Sequence, residues 1–386
     1  MNFLLEDLID LPQVSLRNAF REGQTIFLIL ECKEERVPCP HCKNKTDELN
    51  QVRNLRVRDL PISGHITYLE VPRRQFYCKH CRKYFTEELD FVESGRRFTN
   101  RYERNIFERL KASSIEQVRK EEDLSWDQVH GIHQHQYEAQ KKTSWGKVKR
   151  LGLDEIAKRK GHKDFVTVVS DLEQGELIEV VDSHAQEEII ETLMEQPLEV
   201  REMVEEVSVD MWGGFPKVIE KVFPNAKIVV DRFHVMKAVN ENLNKVRKQV
   251  NFKVKVRGAK WLLLKNKEDL NTDELAKLEL VLKQSERLRE AYELKEKFRE
   301  IYEETQECEE GKRKIEKWLC EAQRIYSDAV KTIRNHLETI CNYFLNRTTN
   351  GVMEGINNRL KLIKRQAYGF INFENMRRRC LACFIS

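Results

Sequence analysis

The fold of this chain is decided by RLGLDEIAKRKGHKDFVTVVSDLEQGELIEVVDS, which spans residues 150–183. Its first part, RLGLDEIA, has the short apolar pattern of a strand, and we expect that strand to end near Asp154. Two further apolar runs flank Gly175, and this spacing predicts a β-hairpin with the glycine at its turn. The stretch therefore predicts three consecutive strands that form a meander.

After the meander the pattern alternates between helix and strand. AQEEIIETLMEQP (185–197) has helical apolar spacing, and AKIVV (226–230) is a strand. Between them VEEVSVDMWGGF (204–215) is a strand that ends at Asp210, and its Trp-Gly-Gly predicts a tight turn. This order is that of an RNase H-like fold, in which the first and fourth strands are neighbours. We therefore expect a multidomain α/β protein in which Asp154 and Asp210 face each other.

Carboxylates on neighbouring strands suit the chemistry of divalent cations. Mg²⁺ prefers oxygen ligands in octahedral geometry, and two such ions roughly 3.5–4 Å apart can activate a water or a 3′-OH and stabilise a leaving oxygen. Because like charges raise each other's pKa, an acidic cluster is hard to explain as structure alone. A third candidate is Glu354, in the polar helical segment NGVMEGINNRLKLIKR (350–365). The chain has 64 acidic residues, so the residues alone leave this choice open.

Paired cysteines characterise the first 94 residues. CPHC (39–42) and CKHC (78–81) are two C-x2-C knuckles, and the stretch between them alternates like a hairpin. Four thiolates presented in pairs fit a closed tetrahedral Zn²⁺ site with a structural or DNA-docking role. The alternatives are a redox pair or plain buried thiols. The expected zinc ligands are Cys39, Cys42, Cys78 and Cys81. A further pair, Cys380 and Cys383, has helical spacing, and we interpret it as part of the core.

Residues 95–147 predict three helices that include a helix-turn-helix. Ser114 with Gln117, and Ser125 with Gln128, fit the capping-box pattern. The second helix of the motif would begin at Trp126 and face a DNA groove. Neutral histidines on that face weaken the case for strong base readout, and an ordinary helical hairpin is the alternative. The side chains expected in the groove are Asp127, His130, His133 and Gln134.

Cations occur in local runs, although the net charge is only +4. KKTSWGKVKR (141–150) has five cations and no acid, and residues 245–260 have seven cations and no acid. Such runs beside acidic helices are typical of a phosphate-binding face, and a solvated helix face is the alternative. The expected phosphate contacts in the first run are Lys141, Lys142, Lys147, Lys149 and Arg150.

Residues 237–345 are helical and highly charged. The stretches at 272–304 and 312–344 each have the apolar spacing of a long amphipathic helix. We expect an antiparallel helical pair, which could also be a platform for subunit contacts or DNA. The apolar spacing drifts from a strict heptad, which argues against a coiled-coil dimer.

Three long motifs resemble those of a known family. They are LGLDEIAKRKGHKDFVTVVSD (151–171), VSVDMWGGFPKVIEKVFPNAKIVVDRFHVMKAVN (207–240) and TTNGVMEGINNRLKLIKRQAYGFINFENMRRR (348–379). The family is the ISL-three family of bacterial insertion-sequence transposases, DDE enzymes with an RNase H-like core. The resemblance covers nearly the whole chain. It implies that the catalytic ligands of two Mg²⁺ ions, or of Mn²⁺ in their place, are Asp154, Asp210 and Glu354.

The patterns and the resemblance together divide the chain into four parts. They are a zinc ribbon (1–94), a helix-turn-helix DNA-binding domain (95–147), an RNase H-like DDE catalytic domain (148–236 and 346–386) and an all-helical insertion (237–345).

Other residues of the motifs have supporting roles. Asp231 and His234 follow a strand and could support the metal site or touch the DNA backbone; a local cap and a salt bridge with Arg232 is the alternative. Asn350 and Asn357 flank Glu354 at helical spacing and could orient its carboxylate or a phosphate. The cations on the same helix that could hold phosphates near the cut are Lys361, Lys364 and Arg365.

The expected function is that of a DNA transposase. Such an enzyme binds the terminal inverted repeats of its own element and catalyses Mg²⁺-dependent strand cleavage and strand transfer into target DNA. The alternatives are a non-catalytic, zinc-containing DNA-binding regulator derived from such an element, or another RNase H-like nuclease such as a resolvase. Because two ends must be joined in one event, we expect a homodimer or a larger assembly on double-stranded DNA.

The composition also predicts where the protein acts. No apolar run approaches the roughly 18 residues of a membrane span, and the N-terminus lacks the basic region of a signal peptide. Ten cysteines without such a signal suggest thiols in a reducing compartment. We expect a bacterial cytoplasmic protein that is associated with the nucleoid and has no membrane partner.

Overall fold

The computed structural model describes residues 9–158, 164–211, 213–250, 252, 254 and 256–385. The chain divides into two compact units, Met1–Lys141 and Lys142–Ser386. The turn predicted at Trp212 and part of the basic run at 245–260 lie outside the described residues. Among the helices that are described, none combines the length and the apolar character that crossing a membrane requires.

The first unit begins with a sheet that carries the cysteine knuckles. Its strands are β1 (Val14–Glu22), β2 (Thr25–Cys32), β3 (Val37–Pro38), β4 (Lys45–Thr46), β5 (Leu49–Ile62), β6 (His65–Cys78) and β7 (Lys83–Thr86). The main sheet has the order β1-β2-β6-β5, and β7 pairs with β6. β5 and β6 form the hairpin predicted between the knuckles. Alternate residues such as Leu69 and Val71 point to one side and are fully buried.

Three helices follow in this unit, as predicted: α1 (Asn100–Ala112), α2 (Ile115–Glu122) and α3 (Trp126–Gln140). The side chains of Ser125 and Gln128 cap each other's backbone N–H at the start of α3. Ser114 accepts a hydrogen bond from the backbone of Gln117 at the start of α2. The buried residues that join the helices are Tyr102, Ile106, Leu110, Val118, Leu124, Val129 and Ile132.

The second unit is built on a five-stranded sheet. Its strands are β8 (Arg150–Ala157), β9 (Phe165–Asp171), β10 (Glu176–Val181), β11 (Glu206–Val209) and β12 (Lys227–Val230). The order is β10-β9-β8-β11-β12, with the first three antiparallel and β11 parallel to both neighbours. This is the RNase H-like order predicted. The expectation that the first strand ends near Asp154 was wrong, because its pairing with β9 continues to Ala157.

The helices that follow the meander cover one face of this sheet. They are α4 (Gln186–Met194), α5 (Leu198–Glu202) and α6 (Phe215–Val222). Leu151 and Leu153 of β8 pack on this side with Ile189 of α4 and Phe215 of α6. Since side chains alternate along a strand, Asp154 lies on the opposite face.

A helical block separates β12 from the last two helices. It comprises α7 (Arg232–Gln249), α8 (Ala259–Leu264), a 3-10 turn (Lys267–Asp269), α9 (Thr272–Leu282), α10 (Glu286–Glu304), α11 (Cys308–Ala322), α12 (Ser327–Asn335), α13 (Leu337–Cys341) and α14 (Tyr343–Asn346). The predicted pair of long helices is therefore wrong. The first stretch is interrupted at Ser285, whose hydroxyl caps α10, and the second is interrupted near Tyr326. The predicted apolar positions are nonetheless buried, as for Leu288, Phe298 and Ile333.

The second face of the sheet is covered by α15 (Gly351–Gln366) and α16 (Phe373–Ala382). Met353, Ile356 and Leu360 of α15 pack on Ile156 and Val168 of the sheet. Cys380 and Cys383 are buried in the same core, as predicted. The helix that carries Glu354 therefore lies on the face of the sheet to which Asp154 points.

Candidate active site and metal centre

Asp154 and Asp210 occupy equivalent positions on neighbouring parallel strands. Ser208 of β11 pairs with Gly152 of β8, and the same register carried two residues further brings Asp210 beside Asp154. Strands in a sheet are about 4.8 Å apart, so these carboxylates lie close together. Electrostatics agrees with this placement, because burial and then the charge of Asp210 raise the pKa of Asp154.

Asp154 is held by two hydrogen bonds. The backbone N–H of Glu155 donates to Oδ1 across 2.8 Å, and Nδ2 of Asn357 donates to Oδ2 across 2.6 Å. Both favour the ionised carboxylate, which partly offsets the effect of burial on its pKa. Asn357 is 5% exposed and belongs to α15. The bond therefore ties the helix of Glu354 to the strand of Asp154.

Glu354 lies in the first turn of α15 and is exposed. Asn350 precedes it by four residues and Asn357 follows it by three, so all three share one side of the helix. The backbone N–H of Asn350 donates to Oδ1 of the buried Asp231 across 3.2 Å. Among the described residues, only the cysteines form a group whose ligand atoms all lie within 4.8 Å, so the three acids are spaced more widely.

Buried oxygen atoms around these acids are consistent with a hydrated cation. Oδ1 of Asn350, Oδ1 of Asn357 and Oγ of Ser208 are buried without a hydrogen-bond partner among the described residues. Buried polar atoms normally have a partner. Mg²⁺ keeps several of its waters, and these can donate to such oxygens. The residues therefore fit divalent cations held between the sheet and α15.

Asp231 and His234 lie at the start of α7, beside this site. Nδ1 of His234 lies 3.5 Å from Oδ2 of Asp231. This contact, together with the charges of Asp210 and Asp154, raises the pKa of His234. The alternative of a local cap with a salt bridge to Arg232 is wrong, because Asp231 makes no side-chain cap hydrogen bond at the start of α7 and Arg232 pairs with Glu303. Asp231 instead contacts His234 and the backbone that leads into α15.

A second buried acid fixes the segment that leads into α15. Glu206, at the start of β11, is 2% exposed. Its carboxylate accepts hydrogen bonds from Nδ2 of Asn346, at 2.6 Å, and from the hydroxyl of Thr348. The sequence analysis did not single out Glu206, because an acid at the start of a strand gives no signal of burial. It also missed Gly152, although a glycine inside a strand indicates a close approach.

The four predicted zinc ligands come together at the ends of the β5–β6 hairpin. Sγ of Cys39 lies 3.6 Å from that of Cys81, and Sγ of Cys42 lies 3.5 Å from that of Cys78. A tetrahedral Zn²⁺ with Zn–S bonds of about 2.3 Å separates its sulfurs by roughly 3.8 Å, so the cluster fits this ion. A hydrogen bond from the backbone of Asn44 lowers the pKa of Cys42 to about 6, whereas burial and the neighbouring thiols raise the pKa of Cys81 to about 12. The four thiols thus titrate as one coupled group, and binding of zinc would require all of them to release their protons.

His133, one of the four residues predicted to face a DNA groove, is buried. His133 is 4% exposed, and its ring lies 5.6 Å from that of Phe107 on α1. Its predicted exposure to a DNA groove was therefore wrong, because this side of α3 packs against α1. His130 is half-buried and stacks on Trp126 at 4.4 Å, Gln134 is half-buried, and Asp127 is exposed.

Most cations of the first basic run are paired with acids. Lys141 contacts Glu138, Lys142 contacts Glu176, and Lys149 contacts Glu205. Arg150 lies 3.5 Å from Glu173. Lys147 is exposed. Any phosphate would have to compete with these acids, but exposed ion pairs of this kind are weak.

The cations of α15 differ in accessibility. Lys361 and Arg365 are exposed. Lys364 is half-buried, and its Nζ donates to the backbone carbonyl of Ala157 across 2.7 Å. Burial also lowers the pKa of Lys364. The prediction that Lys364 faces DNA phosphates does not fit this placement, because the sheet already binds its ammonium group.

Family comparisons cover most of the chain. Residues 151–380 match the sequence profile of the ISL3-type DDE domain, described as transposase. Residues 35–81 match the zinc-finger of transposase IS204/IS1001/IS1096/IS1165, and residues 87–137 match the helix-turn-helix domain of transposase family ISL3. The matched segments coincide with the cysteine cluster, the three helices and the five-stranded sheet.

Curated relatives agree with these matches. The chain is 25% identical over 362 residues to the transposase for insertion sequence element IS1001 of Bordetella parapertussis, an alignment that covers 90% of this chain and 89% of the relative. It is 26% identical over 256 residues to the transposase for insertion sequence element IS1557 of Mycobacterium tuberculosis, with 58% of this chain and 57% of the relative covered.

Proposed function

The chain belongs to the ISL3 family of DDE transposases and is a DNA transposase, and we propose that Asp154, Asp210 and Glu354 hold the divalent cations with which it cuts and joins DNA. The observation that carries this proposal is the register that brings Asp210 beside Asp154, with Asn357 of α15 bonded to Asp154. Two Mg²⁺ ions, or Mn²⁺ in their place, would activate a water or a 3′-OH and stabilise the leaving oxygen.

The residues of the chain position the acids before any cation binds. Two hydrogen bonds fix the orientation of the Asp154 carboxylate. Asn357 donates to Oδ2, and the backbone N–H of Glu155 donates to Oδ1. Asp231 holds the backbone at the start of α15, one turn from Glu354. We propose supporting roles for Asn350 and Asn357, whose side-chain oxygens are buried without a hydrogen-bond partner among the described residues, and for Asp231 and His234.

Two further domains supply DNA binding. The chain has a zinc ribbon and a helix-turn-helix of the kinds found in this family. We propose that they bind the terminal inverted repeats of the element, with His130 and Gln134 of α3 as the candidate base contacts. Lys147, Lys361 and Arg365 are the candidate phosphate contacts that remain accessible. His133, which is buried, is not part of this proposal.

Assembly and location follow from the substrate. Two element ends have to be processed together, so we propose that the active form is a homodimer or a larger assembly on DNA. Since that substrate is chromosomal, we propose that the protein acts at the bacterial nucleoid. The zinc ions belong to the ribbon, and the catalytic cations are separate from them.

A strand-cleavage and joining assay tests this proposal. Purified protein would be mixed with Mg²⁺ and labelled duplexes that cover the flanks of its own gene, together with an unlabelled target duplex. Asp210→Ala is the test variant, and Asp273→Ala is the matched control, because Asp273 is an exposed acid on α9. We expect cleavage at a defined end and joining to the target for the wild type and the control only.

The other outcomes are informative as well. Cleavage that persists in Asp210→Ala would remove this residue from the proposed site. Tight binding without cleavage in either Mg²⁺ or Mn²⁺ would favour a DNA-binding regulator over the catalytic role. Cleavage of branched DNA without joining would favour a resolvase-like nuclease.

A further inference from the structure

One face of α15 leads from Glu354 to a pair of fully exposed apolar side chains. Glu354, Asn358, Lys361 and Arg365 are all exposed, and their spacing of four, three and four residues aligns them in one stripe. The stripe begins with the proposed cation ligand and continues with two positive charges. Beyond it, the helix ends and a short loop begins at Tyr368.

The loop presents Tyr368 and Ile371 to solvent. Tyr368 is 97% exposed and Ile371 is 102% exposed, and the next most exposed large apolar side chain in the described residues is Phe233, at 62%. A large aromatic or aliphatic side chain contributes to the stability of a fold only when its apolar surface is buried, so these two side chains contribute little. Exposed apolar side chains of this size, close in sequence to a basic stripe, are typical of a surface that binds a partner.

The loop that carries these residues is anchored. The backbone N–H of Gly369 donates to the carbonyl of Lys364 across 3.1 Å, and that of Tyr368 donates to the carbonyl of Arg365 across 3.1 Å. Phe370 points inward and packs on the core formed by α15, α16 and the sheet. The two exposed side chains thus project from a fixed base.

The backbone at Tyr368 does not favour a tyrosine. Its φ is 54°, in the left-handed region where glycine is the preferred residue at the end of a helix. A tyrosine that is 97% exposed, at a position that glycine would fit better, is not explained by the stability of the fold.

We propose that Tyr368 and Ile371 form a wedge that enters the base stack of the DNA beside the cut. This inference rests on the proposed function, and it adds a second contact to the same site. DNA is the partner because its phosphates complement Lys361 and Arg365 along the stripe, and because its base steps accept apolar and aromatic wedges. The wedge unstacks one step and bends the duplex, which presents the scissile phosphate to Glu354.

The length of the helix predicts where the wedge enters. A helix rises 1.5 Å per residue, so the end of α15, two residues before Tyr368, lies roughly 18 Å from Glu354. At 3.4 Å per base step this distance corresponds to about five to six base pairs. The distorted step should therefore lie about six base pairs from the cut, on the side to which the stripe runs.

Tyr368→Gly tests the wedge without harming the fold, since glycine fits the left-handed backbone. Leu362→Ala is the matched control, because Leu362 is an apolar side chain on α15 that is 46% exposed and lies off the stripe. The substrate is the duplex that covers the flanks of the gene, and the wild-type products define the cut. A second substrate has a two-base mismatch about six base pairs from that cut, and a third has the same mismatch about fifteen base pairs away.

We expect Tyr368→Gly to cleave the intact duplex roughly 10- to 100-fold more slowly than the wild type, because one stacked base is lost. The mismatch near the predicted step should restore most of that rate, since the unstacking no longer has to be driven by the protein, and the distant mismatch should not. A purely structural role for Tyr368 would not be rescued by a change in the DNA.

Three results would overturn the wedge. The first is equal cleavage of the intact duplex by Tyr368→Gly and the wild type. The second is a slow variant that neither mismatch rescues. The third is a change in oligomeric state of Tyr368→Gly without DNA, which would assign the loop to a second copy of the chain. If the wild type cleaves none of the substrates, the proposed function itself fails, and the wedge fails with it.

Discussion

Nδ2 of Asn357 donates a hydrogen bond to Oδ2 of Asp154 across 2.6 Å, from the helix of one proposed cation ligand to the strand of another. Removing the amide in Asn357→Ala should leave Asp154 free to rotate. Loss of a side chain that orients a ligand typically weakens metal affinity by about 10- to 100-fold. Mn²⁺ affinity measured by calorimetry without DNA should fall by this factor. Asn358→Ala, which removes the neighbouring exposed amide, should keep the wild-type affinity, and equal affinities for both variants would contradict the role of Asn357.

Gly152 allows α15 to approach the sheet. A Cβ at this position would lie 2.9 Å from Cε of Met353 and 2.9 Å from Cδ2 of Leu172. We expect Gly152→Ala to cost about 1 kcal/mol of the free energy of unfolding, because the ends of the Met353 and Leu172 side chains have to shift to admit the added methyl.

Shortening the side chain of Met353 tests whether its contact with the added methyl causes the loss of stability. In Gly152→Ala with Met353→Ala, the two costs in stability should be less than additive, because the second change makes room for the first. Gly355→Ala is the control, since a Cβ there meets no atom within 4 Å. Urea denaturation measures the wild type, the two single variants, the double variant and the control. Simple additivity of the two costs would show that Met353 does not limit the space at Gly152.

The strands of the sheet could be predicted because each one stands out as a short, largely apolar segment. Val166, Val168 and Val180 are buried on one face, and Val169 and Val181 are buried on the other, because helices cover both faces of the sheet. The parallel register of β8 and β11 then follows from the fold, and with it the pairing of Asp154 and Asp210. The cysteine cluster was predictable for a different reason, because two C-x2-C knuckles leave few other arrangements.

Other features depend on which faces meet in space. His133 and His130 are both polar positions on α3, and only the contact with Phe107 decides that His133 is the buried one. Lys361 and Lys364 are one turn apart on α15, and the sequence does not distinguish them. Lys364 is half-buried and donates to the carbonyl of Ala157, whereas Lys361 is exposed. The long amphipathic stretch at 272–304 contains no strong breaker, so its interruption at Ser285 depends on how α9 and α10 pack.

Replacing Asp210 should stabilise the protein in the absence of Mg²⁺. Asp210 raises the pKa of Asp154, so the two carboxylates repel each other in the folded state. Asp210→Asn removes this repulsion, and we expect a gain of about 1 kcal/mol in the free energy of unfolding at neutral pH. Thermal denaturation in magnesium-free buffer without chelator, which leaves zinc in place, measures the difference.

The same variant should lose its response to Mg²⁺. A cation at about one hundred times its dissociation constant stabilises the wild type by about 2.7 kcal/mol. Asp210→Asn should show little of this gain, whereas Asp273→Asn should keep it. An undiminished shift in Asp210→Asn would place the cation elsewhere.

Cys78→Ser should remove the zinc ion of the first unit. The thiol is buried within 3.5 Å of Sγ of Cys42, and a hydroxyl is a poor substitute for a thiolate ligand. Metal analysis should find about one zinc ion per chain in the wild type and far less in the variant. Cys320→Ser is the control, because Cys320 is exposed and outside the cluster. Zinc content equal to that of the wild type in Cys78→Ser would contradict the four-sulfur site.

Glu296 of α10 should make the second unit sensitive to acid. Nζ of the buried Lys295 lies 2.5 Å from Oε1 of Glu296, and Arg299 contacts the other oxygen at 3.1 Å. Burial alone would raise the pKa of Glu296, but the hydrogen bonds and charges of Lys295 and Arg299 outweigh it and lower the pKa below 4.5. The contribution of the ionised Glu296 to the stability of the fold is therefore present above pH 4.5. It is lost as the pH falls through the lowered pKa of Glu296.

Glu296→Gln should lower the free energy of unfolding by about 3–5 kcal/mol at pH 7, because it leaves the ammonium of Lys295 buried without a carboxylate. Lys295→Met should cost less, since Glu296 keeps its contact with Arg299. Urea denaturation from pH 7 to pH 3 measures both. The cost of Glu296→Gln should be constant above pH 4.5 and shrink below it, because the wild-type carboxyl then becomes protonated as well. A cost that stays unchanged down to pH 3 would mean that the ion pair does not stabilise this helix.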